Sequence, residues 1–455
     1  MRLLASFESH TGSSVEDSYI RKVKASVSAR VLHLDSSIAG IWIPMAWLGA
    51  TILFVLVIRL FGGPTTADSY VSVNSTWAIA HGNIACAFPP SSTLPQPLSA
   101  PVYTLLSGGL SAVFRIGHAV AFPARAQMGI HCQSATEAIN RWSVHTGALF
   151  PTVLLGYVCW LFLAAGVVVL LRSVGRGMTR WEPFALTALA ISPPVSMCLL
   201  EYFHPQDLVA VGFICMGLAA ALRNSWGWSG AAMALGVLTQ QFAVLALIPL
   251  IFVMTRNGRF RFLAVGPATF IAVSAPLLIV TSGRALHAIV IGTGSSTMTG
   301  TLLVDTRLHG ALLQVTSRGV TIVFVVVLCV WARLRYGSNL LNPRLLTSLI
   351  ATSLALRLVF EVNLWGYYFA AASVLVIALH VIERRVSLSL IVFFVVVTFA
   401  SADFGLANRP PFIEVPISIW QIVLVPWILI LAARPLLESN DSLTGEFRRT
   451  AANSM

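Results

Sequence analysis

The 455 residues are 57% hydrophobic and 10% charged, against a soluble-globular norm of about 25% charged, which excludes an ordinary water-soluble domain. The formal charge of +12 is not a nucleic-acid footprint, because the basic residues sit in the short connections between apolar runs. What remains is an all-α, polytopic membrane protein, expected to have about 12 transmembrane helices and interfacial helices in a long first exterior loop.

Residues 1–40 are polar and read as a cytoplasmic N-terminal segment. The first apolar run, near 41–60, is long enough to stay as an anchor, so no cleavable signal is expected. Further apolar segments follow near 146–171, 183–200, 207–222, 228–240, 242–255, 262–281, 318–334, 345–361, 366–382, 386–402 and 416–433, giving a membrane domain over 41–434. Those at 228–240 and 242–255 are each too short to cross a hydrocarbon core of about 30 Å upright, and read either as one bent helix or as two thin ones. Residues 435–455 read as a cytoplasmic tail. On this topology 20 of the 29 Lys and Arg share one side, among them Arg172, Arg256, Arg335, Arg344 and Arg384. The positive-inside rule then puts both termini in the cytoplasm of a cell-membrane protein, and the basic excess faces anionic headgroups.

The first exterior loop, about 62–140, is the largest non-membrane segment. Tyr70, Val73, Trp77 and Ala80 recur at helical spacing behind Asp68 and Ser69, which predicts a capped surface helix over 68–81. Five prolines between Pro89 and Pro101 break the chain, and 102–117 reads as a second interfacial helix. Cys86 and Cys132 share this loop, where an oxidising compartment favours a disulfide between them. Cys159, Cys198, Cys215 and Cys329 fall within spans and read as small apolar residues. A second exterior loop is expected from about 282 to 317.

With both termini inside, eight acids face the exterior: Asp68, Glu137, Glu201, Asp207, Asp305, Glu361, Asp403 and Glu414. Asp68, Glu201, Asp207 and Glu361 adjoin span ends, where a charge at membrane depth costs on the order of 2.5–3.5 kcal/mol and so marks either a helix cap or a site. The link Glu201-Tyr202-Phe203-His204-Pro205-Gln206-Asp207 carries more polar groups than a turn requires, enough to hold a sugar or a phosphate. Gln240 and Gln241 interrupt an apolar run and serve either as glue between helices or as the lining of a polar cavity. Arg357 and Glu361 stand four apart, an ordinary i,i+4 ion pair or a phosphate grip, with Tyr367 and Tyr368 shortly after. Arg284, Arg307 and Arg318 compete for the phosphate role. No nucleotide-binding glycine loop, metal-spaced His/Cys cluster or nucleophile elbow is present, which argues against a soluble nucleotide-sugar enzyme.

Five stretches together resemble the C-type superfamily of integral-membrane glycosyltransferases, particularly actinobacterial polyprenyl-phosphate-mannose-dependent mannosyltransferases. They are Asp68-Ser69-Tyr70, the run from Pro101 to Leu106, His204-Pro205-Gln206-Asp207, the run from Gly230 to Gln241, and the run from Glu361 to Phe369. The resemblance implies a lipid-carried sugar as donor, an inverting single displacement, and Asp68 as catalytic base. It implies substrate contacts from Tyr70, Glu201, His204, Gln206, Asp207, Gln240, Gln241, Arg357, Glu361 and Tyr367. Two departures matter. Ala67 and Ser69 flank Asp68 where many relatives carry a second acid, so no metal or other cofactor is expected; Gln240 stands where a lysine is frequent.

The function expected is transfer of a sugar, with mannose favoured, from a polyprenyl-phosphate donor to a lipid, glycan or protein acceptor of the cell envelope. Two other classes fit the span pattern. A secondary transporter or lipid-carrier flippase would show midplane broken helices and a pseudo-repeat, neither visible in the sequence. A non-catalytic scaffold of an envelope complex would tolerate substitution of Asp68.

Overall fold

Helices follow the apolar runs, and the sequence punctuates them with proline and small polar caps. The computed structural model describes residues 78–80, 82, 84–88, 101–116, 149–175, 181–200, 204–286, 310–361, 364, 366–400 and 417–438. All regular structure among these is helical. In chain order the helices are α1 (Ile84–Ala87), α2 (Pro101–Ile116), α3 (Leu149–Val174), α4 (Glu182–Ile191), α5 (Pro193–Leu200), α6 (Pro205–Leu222) and α7 (Trp226–Val237). They continue as α8 (Val244–Val253), α9 (Arg256–Val280), α10 (Gly310–Tyr336), α11 (Pro343–Phe360), α12 (Ala370–Ile382), α13 (Leu388–Ala400) and α14 (Ile417–Leu437). Pro101, Pro193, Pro205 and Pro343 each open a helix, where the missing N–H has no intrahelical partner to lose. Thr255 caps α9 by accepting from the Gly258 amide at 3.1 Å, and Asn342 caps α11 by accepting from the Arg344 amide at 2.9 Å.

Among the described residues, four helical segments are long and apolar enough to cross a membrane: Pro205–Leu222, Arg256–Val280, Leu312–Leu341 and Pro343–Phe360. The pair Glu182–Ala190 and Pro193–Leu199, bent by 58°, makes a fifth if counted as one span. This is fewer than the twelve expected over the whole sequence, and among the described residues some of the apolar runs form helices too short to cross upright. At 1.5 Å per residue, α7 and α8 reach only about 18 and 15 Å. The apolar run at 41–60 lies outside the described residues, as do the capping positions of the helix expected over 68–81.

The segments at 228–240 and 242–255 form two helices, α7 and α8. Trp226 and Gly230 of α7 meet Gly258 and Phe262 of α9, so α7 and α9 run parallel. The chain therefore reverses between them, through a 3₁₀ turn at Gln241–Ala243, and α8 runs back along the bundle. Close backbone approach holds these layers: a Cβ on Gly230 would stand 2.7 Å from the Phe262 carbonyl oxygen, and one on Gly166 of α3 the same distance from the Gly212 carbonyl oxygen of α6. Small residues allow such contacts where apolar lipid gives helices no hydrophobic reason to associate.

One further expectation is corrected and another gains detail. α10 begins at Gly310, so the last part of the second loop expected at 282–317 is helical. α2 is docked on the bundle: Val102, Tyr103, Thr104, Ser107 and Ser111 are buried, and the Val102 amide donates to the Leu238 carbonyl at 2.9 Å. An orphan donor at the start of α2 thereby satisfies an acceptor freed at the end of α7. Ala78, Ala87 and Phe88 pack with Leu277 and Ala285 around the end of α9.

The bundle has two chemically distinct ends. At one, Arg172 pairs with Glu182 at 3.0 Å, Arg344 bonds both Glu383 and Glu438, and Arg434 pairs with Glu438 at 3.0 Å. The Tyr336 hydroxyl donates there to the Leu436 carbonyl at 2.6 Å, tying α10 to α14. At the other end lie the starts of α6, α8 and α10 and the ends of α7 and α11. Between the ends, Phe260, Ile271 and Ile279 of α9, Val323, Val327 and Leu334 of α10, and Ile391 and Val395 of α13 stand exposed, an apolar flank suited to lipid. The four cysteines at 159, 198, 215 and 329 are free and buried; the Cys86 side chain and Cys132 fall outside the description.

Candidate functional site

The polar residues interrupting four separate apolar runs meet at the end opposite the Arg/Glu network. His204 is the residue before α6, its amide donating to the Cys198 carbonyl at 2.8 Å and its carbonyl accepting from the Asp207 amide at 3.0 Å. Pro205 then starts the helix and puts Gln206 and Asp207 in its first turn, where an acid complements the helix dipole. Both side chains are buried, as is His204. Gln206 Nε2 donates to His204 Nδ1 at 2.9 Å, and the imidazole stacks on Tyr367 with ring centroids 4.1 Å apart and planes 16° apart.

α7 stops at Val237, after which Gln240 adopts an extended conformation with φ −151° and ψ 132°. This swings its side chain onto Asp207, whose carboxylate it hydrogen-bonds. The same carboxylate lies within electrostatic range of His204, Arg357 and Glu361. Gln241, half-buried, starts the 3₁₀ turn that follows.

Arg357 comes from the last turn of α11, and Glu361 ends that helix. Arg357 Nε donates to Glu361 Oε2, so the i,i+4 pair exists, inside a larger cluster. The Arg357 guanidinium carbon sits 5.0 Å from the Phe242 ring centroid and 4.6 Å from that of Tyr368, a cation held between two aromatic faces. Tyr367 and Tyr368 meet edge to face at 4.6 Å and share a hydroxyl hydrogen bond. Arg318 of α10 faces Glu361, Arg357 and Tyr368, and its neighbour Ser317 donates to the Phe360 carbonyl.

Seven of the expected residues therefore come together: His204, Gln206, Asp207, Gln240, Arg357, Glu361 and Tyr367. Gln241 borders them. Asp68, Tyr70 and Glu201 lie outside the described residues. Among the competing arginines Arg318 joins the cluster, Arg284 is exposed beyond α9, and Arg307 falls outside the description. Of the two rings that flank Arg357, Tyr368 was noted in the sequence beside Glu361 but given no role, and Phe242 was not singled out. A cation between rings has no fixed spacing, and adjacency to Gln241 and Tyr367 was the only available hint.

Chemically, the cluster pairs two guanidinium groups with two carboxylates, two neutral amides and stacked rings, set in an apolar bundle. Such a constellation can grip an anion through Arg and accept hydrogen bonds from hydroxyls through Asp and Glu. No protein-family model matches the chain, and no curated protein matches it either.

Proposed function

We propose that the chain is a membrane glycosyltransferase that moves a sugar, mannose foremost, from a polyprenyl-phosphate donor to a lipid, glycan or protein of the cell envelope at the outer membrane face. The observation that supports it is the meeting of Arg357, Arg318, Asp207, Gln240, Glu361 and His204 at one end of an otherwise apolar bundle. In this reading the shorter apolar helices complete a core of about twelve crossings with both termini in the cytoplasm, and the cluster faces outward.

The reaction is a single displacement. An acceptor hydroxyl oxygen bonds to the anomeric carbon as the bond from that carbon to the phosphate oxygen breaks, with inversion. Polyprenyl phosphate leaves with the bonding pair, and Asp68 takes the hydroxyl proton. Arg357 and Arg318 hold the phosphate and offset the charge that grows on it as it departs.

The test uses the full chain in lipid with radiolabelled polyprenyl-phosphate mannose and an envelope-lipid extract, comparing native protein with Asp68→Asn and Arg357→Lys. Label reaching an acceptor with native protein, and falling about 100-fold or more with Asp68→Asn, is the result expected for loss of a general base. Equal transfer by Asp68→Asn removes that residue as base. A native chain that binds no donor sinks the transferase reading and leaves a carrier or scaffold.

A further inference from the structure

Two buried acceptors in the first turn of α6 have no hydrogen-bond partner among the described residues: Asp207 Oδ1 and Gln206 Oε1. Gln206 is 0% and Asp207 5% exposed. Neither residue is remote from the cluster, since Gln206 bonds His204 through its amide nitrogen and Asp207 bonds Gln240 and faces Arg357. An unpaired buried acceptor has lost water without a replacement, so a chain that places two on adjacent residues at its polar end is built to receive donors there. An ionised carboxylate only accepts, and the free amide oxygen only accepts. A phosphodiester brings no donor and cannot satisfy either. An ammonium ion brings donors, but Arg357 and Arg318 already supply the positive charge around these groups.

We propose that Asp207 and Gln206 form a hydroxyl-reading subsite for a neutral polyol, distinct from the arginines that take the anion, and that this pair sets which sugar the site accepts. The inference rests on the transferase reading for the identity of the polyol as the donor's sugar. The division of labour follows from donor and acceptor chemistry: Asp207 and Gln206 accept hydrogen bonds from hydroxyls, while Arg357 and Arg318 donate to phosphate oxygens. A site built to bond a hydroxyl rejects the analogue lacking it far more strongly than an apolar pocket rejects a missing methylene.

The experiment measures binding of short-chain prenyl-phosphate mannose, its monodeoxy analogues and prenyl phosphate alone to the full chain in lipid. For native protein, removal of one particular hydroxyl should weaken binding roughly 10-fold or more, the range for a hydrogen bond to a charged group. Asp207→Asn should bind the parent sugar and that analogue alike, with an affinity for prenyl phosphate no lower than native, since Arg357 loses a competing anion. Equal binding of every deoxy analogue by native protein overturns the subsite. Should Asp207→Asn fail to fold, the analogue series on native protein decides alone. Methyl mannoside, which carries the hydroxyls without phosphate or lipid, separates the two readings. Protection of native protein against unfolding, absent in Asp207→Asn, upholds the subsite even if no sugar is transferred. Transfer without discrimination among deoxy donors upholds the transferase and overturns the subsite.

Discussion

Replacing Arg357 with methionine is the sharpest probe of the cluster, because an unbranched apolar stem remains while the charge and the planar fork are lost. Arg357 and Glu361 side chains are 20% and 19% exposed, below the level at which water screens an ion pair to insignificance. Without the guanidinium, Glu361 loses its hydrogen-bonded partner and Asp207 loses a cation it faces. Breaking such a pair from one side costs about 3–5 kcal/mol, because a carboxylate is left buried and uncompensated. The lost cation–π contacts to Phe242 and Tyr368 add to this, but methionine sulfur against the same rings returns about 0.3–1.5 kcal/mol. The expected net loss is about 3 kcal/mol. Equilibrium unfolding in mixed detergent micelles, followed by fluorescence of the 12 tryptophans, reads it directly. Adding Asp207→Asn to Arg357→Met should then cost less than the same substitution in native protein, with a coupling of about 1–3 kcal/mol. A loss under about 1 kcal/mol, or strict additivity of the two changes, would refute the view that Arg357 neutralises Asp207 as well as Glu361.

The opposite end gives a matched comparison: Arg344→Met strands Glu383, while Glu438 keeps Arg434, and should destabilise by about 3–5 kcal/mol in the same unfolding assay, with Glu383→Gln restoring part of it. Gly166→Val drives a side chain into the Gly212 carbonyl oxygen of α6 and should cost at least about 1–3 kcal/mol, whereas Gly109→Ala, with nothing within 4 Å of its Cβ, should change stability by less than about 1 kcal/mol; equal effects would contradict the close α3–α6 packing. Ser348→Ala removes the hydroxyl that donates to the Ala432 carbonyl and should cost only about 0.6 kcal/mol, the typical worth of an interhelical hydrogen bond in a membrane, so a loss near that of Arg344→Met would mean α11 and α14 depend on it as much as on the ion pairs.

What the sequence determined by itself is the class of solvent and the places where the chain departs from it. Low charge and repeated apolar runs demand helices, since a backbone in lipid must satisfy its own hydrogen bonds, and the apolar runs from 146 onward match helices closely. Residues such as Asp207, Gln240 and Glu361 stand out against that background because a polar group there needs a reason. The helix at 102–117 was legible too, but not its docking, because the hydrogen bond from Val102 to Leu238 joins segments far apart in sequence with no pattern linking them.

Only the tertiary structure decided which polar residues share a site and where the chain reverses. Periodicity could not separate one bent helix from two at 228–255; the parallel contacts of α7 with α9 require the reversal. Nor could spacing bring Gln240 to Asp207, or put Arg357 between Phe242 and Tyr368, since local sequence fixes turns and faces while long-range packing chooses which helix ends meet. Burial likewise belongs to the assembled bundle: the same acid is a wet cap or a desolvated carboxylate according to what packs over it, and for Asp207 the neighbours include Gln240 and the Arg357–Glu361 turn, far off in the chain.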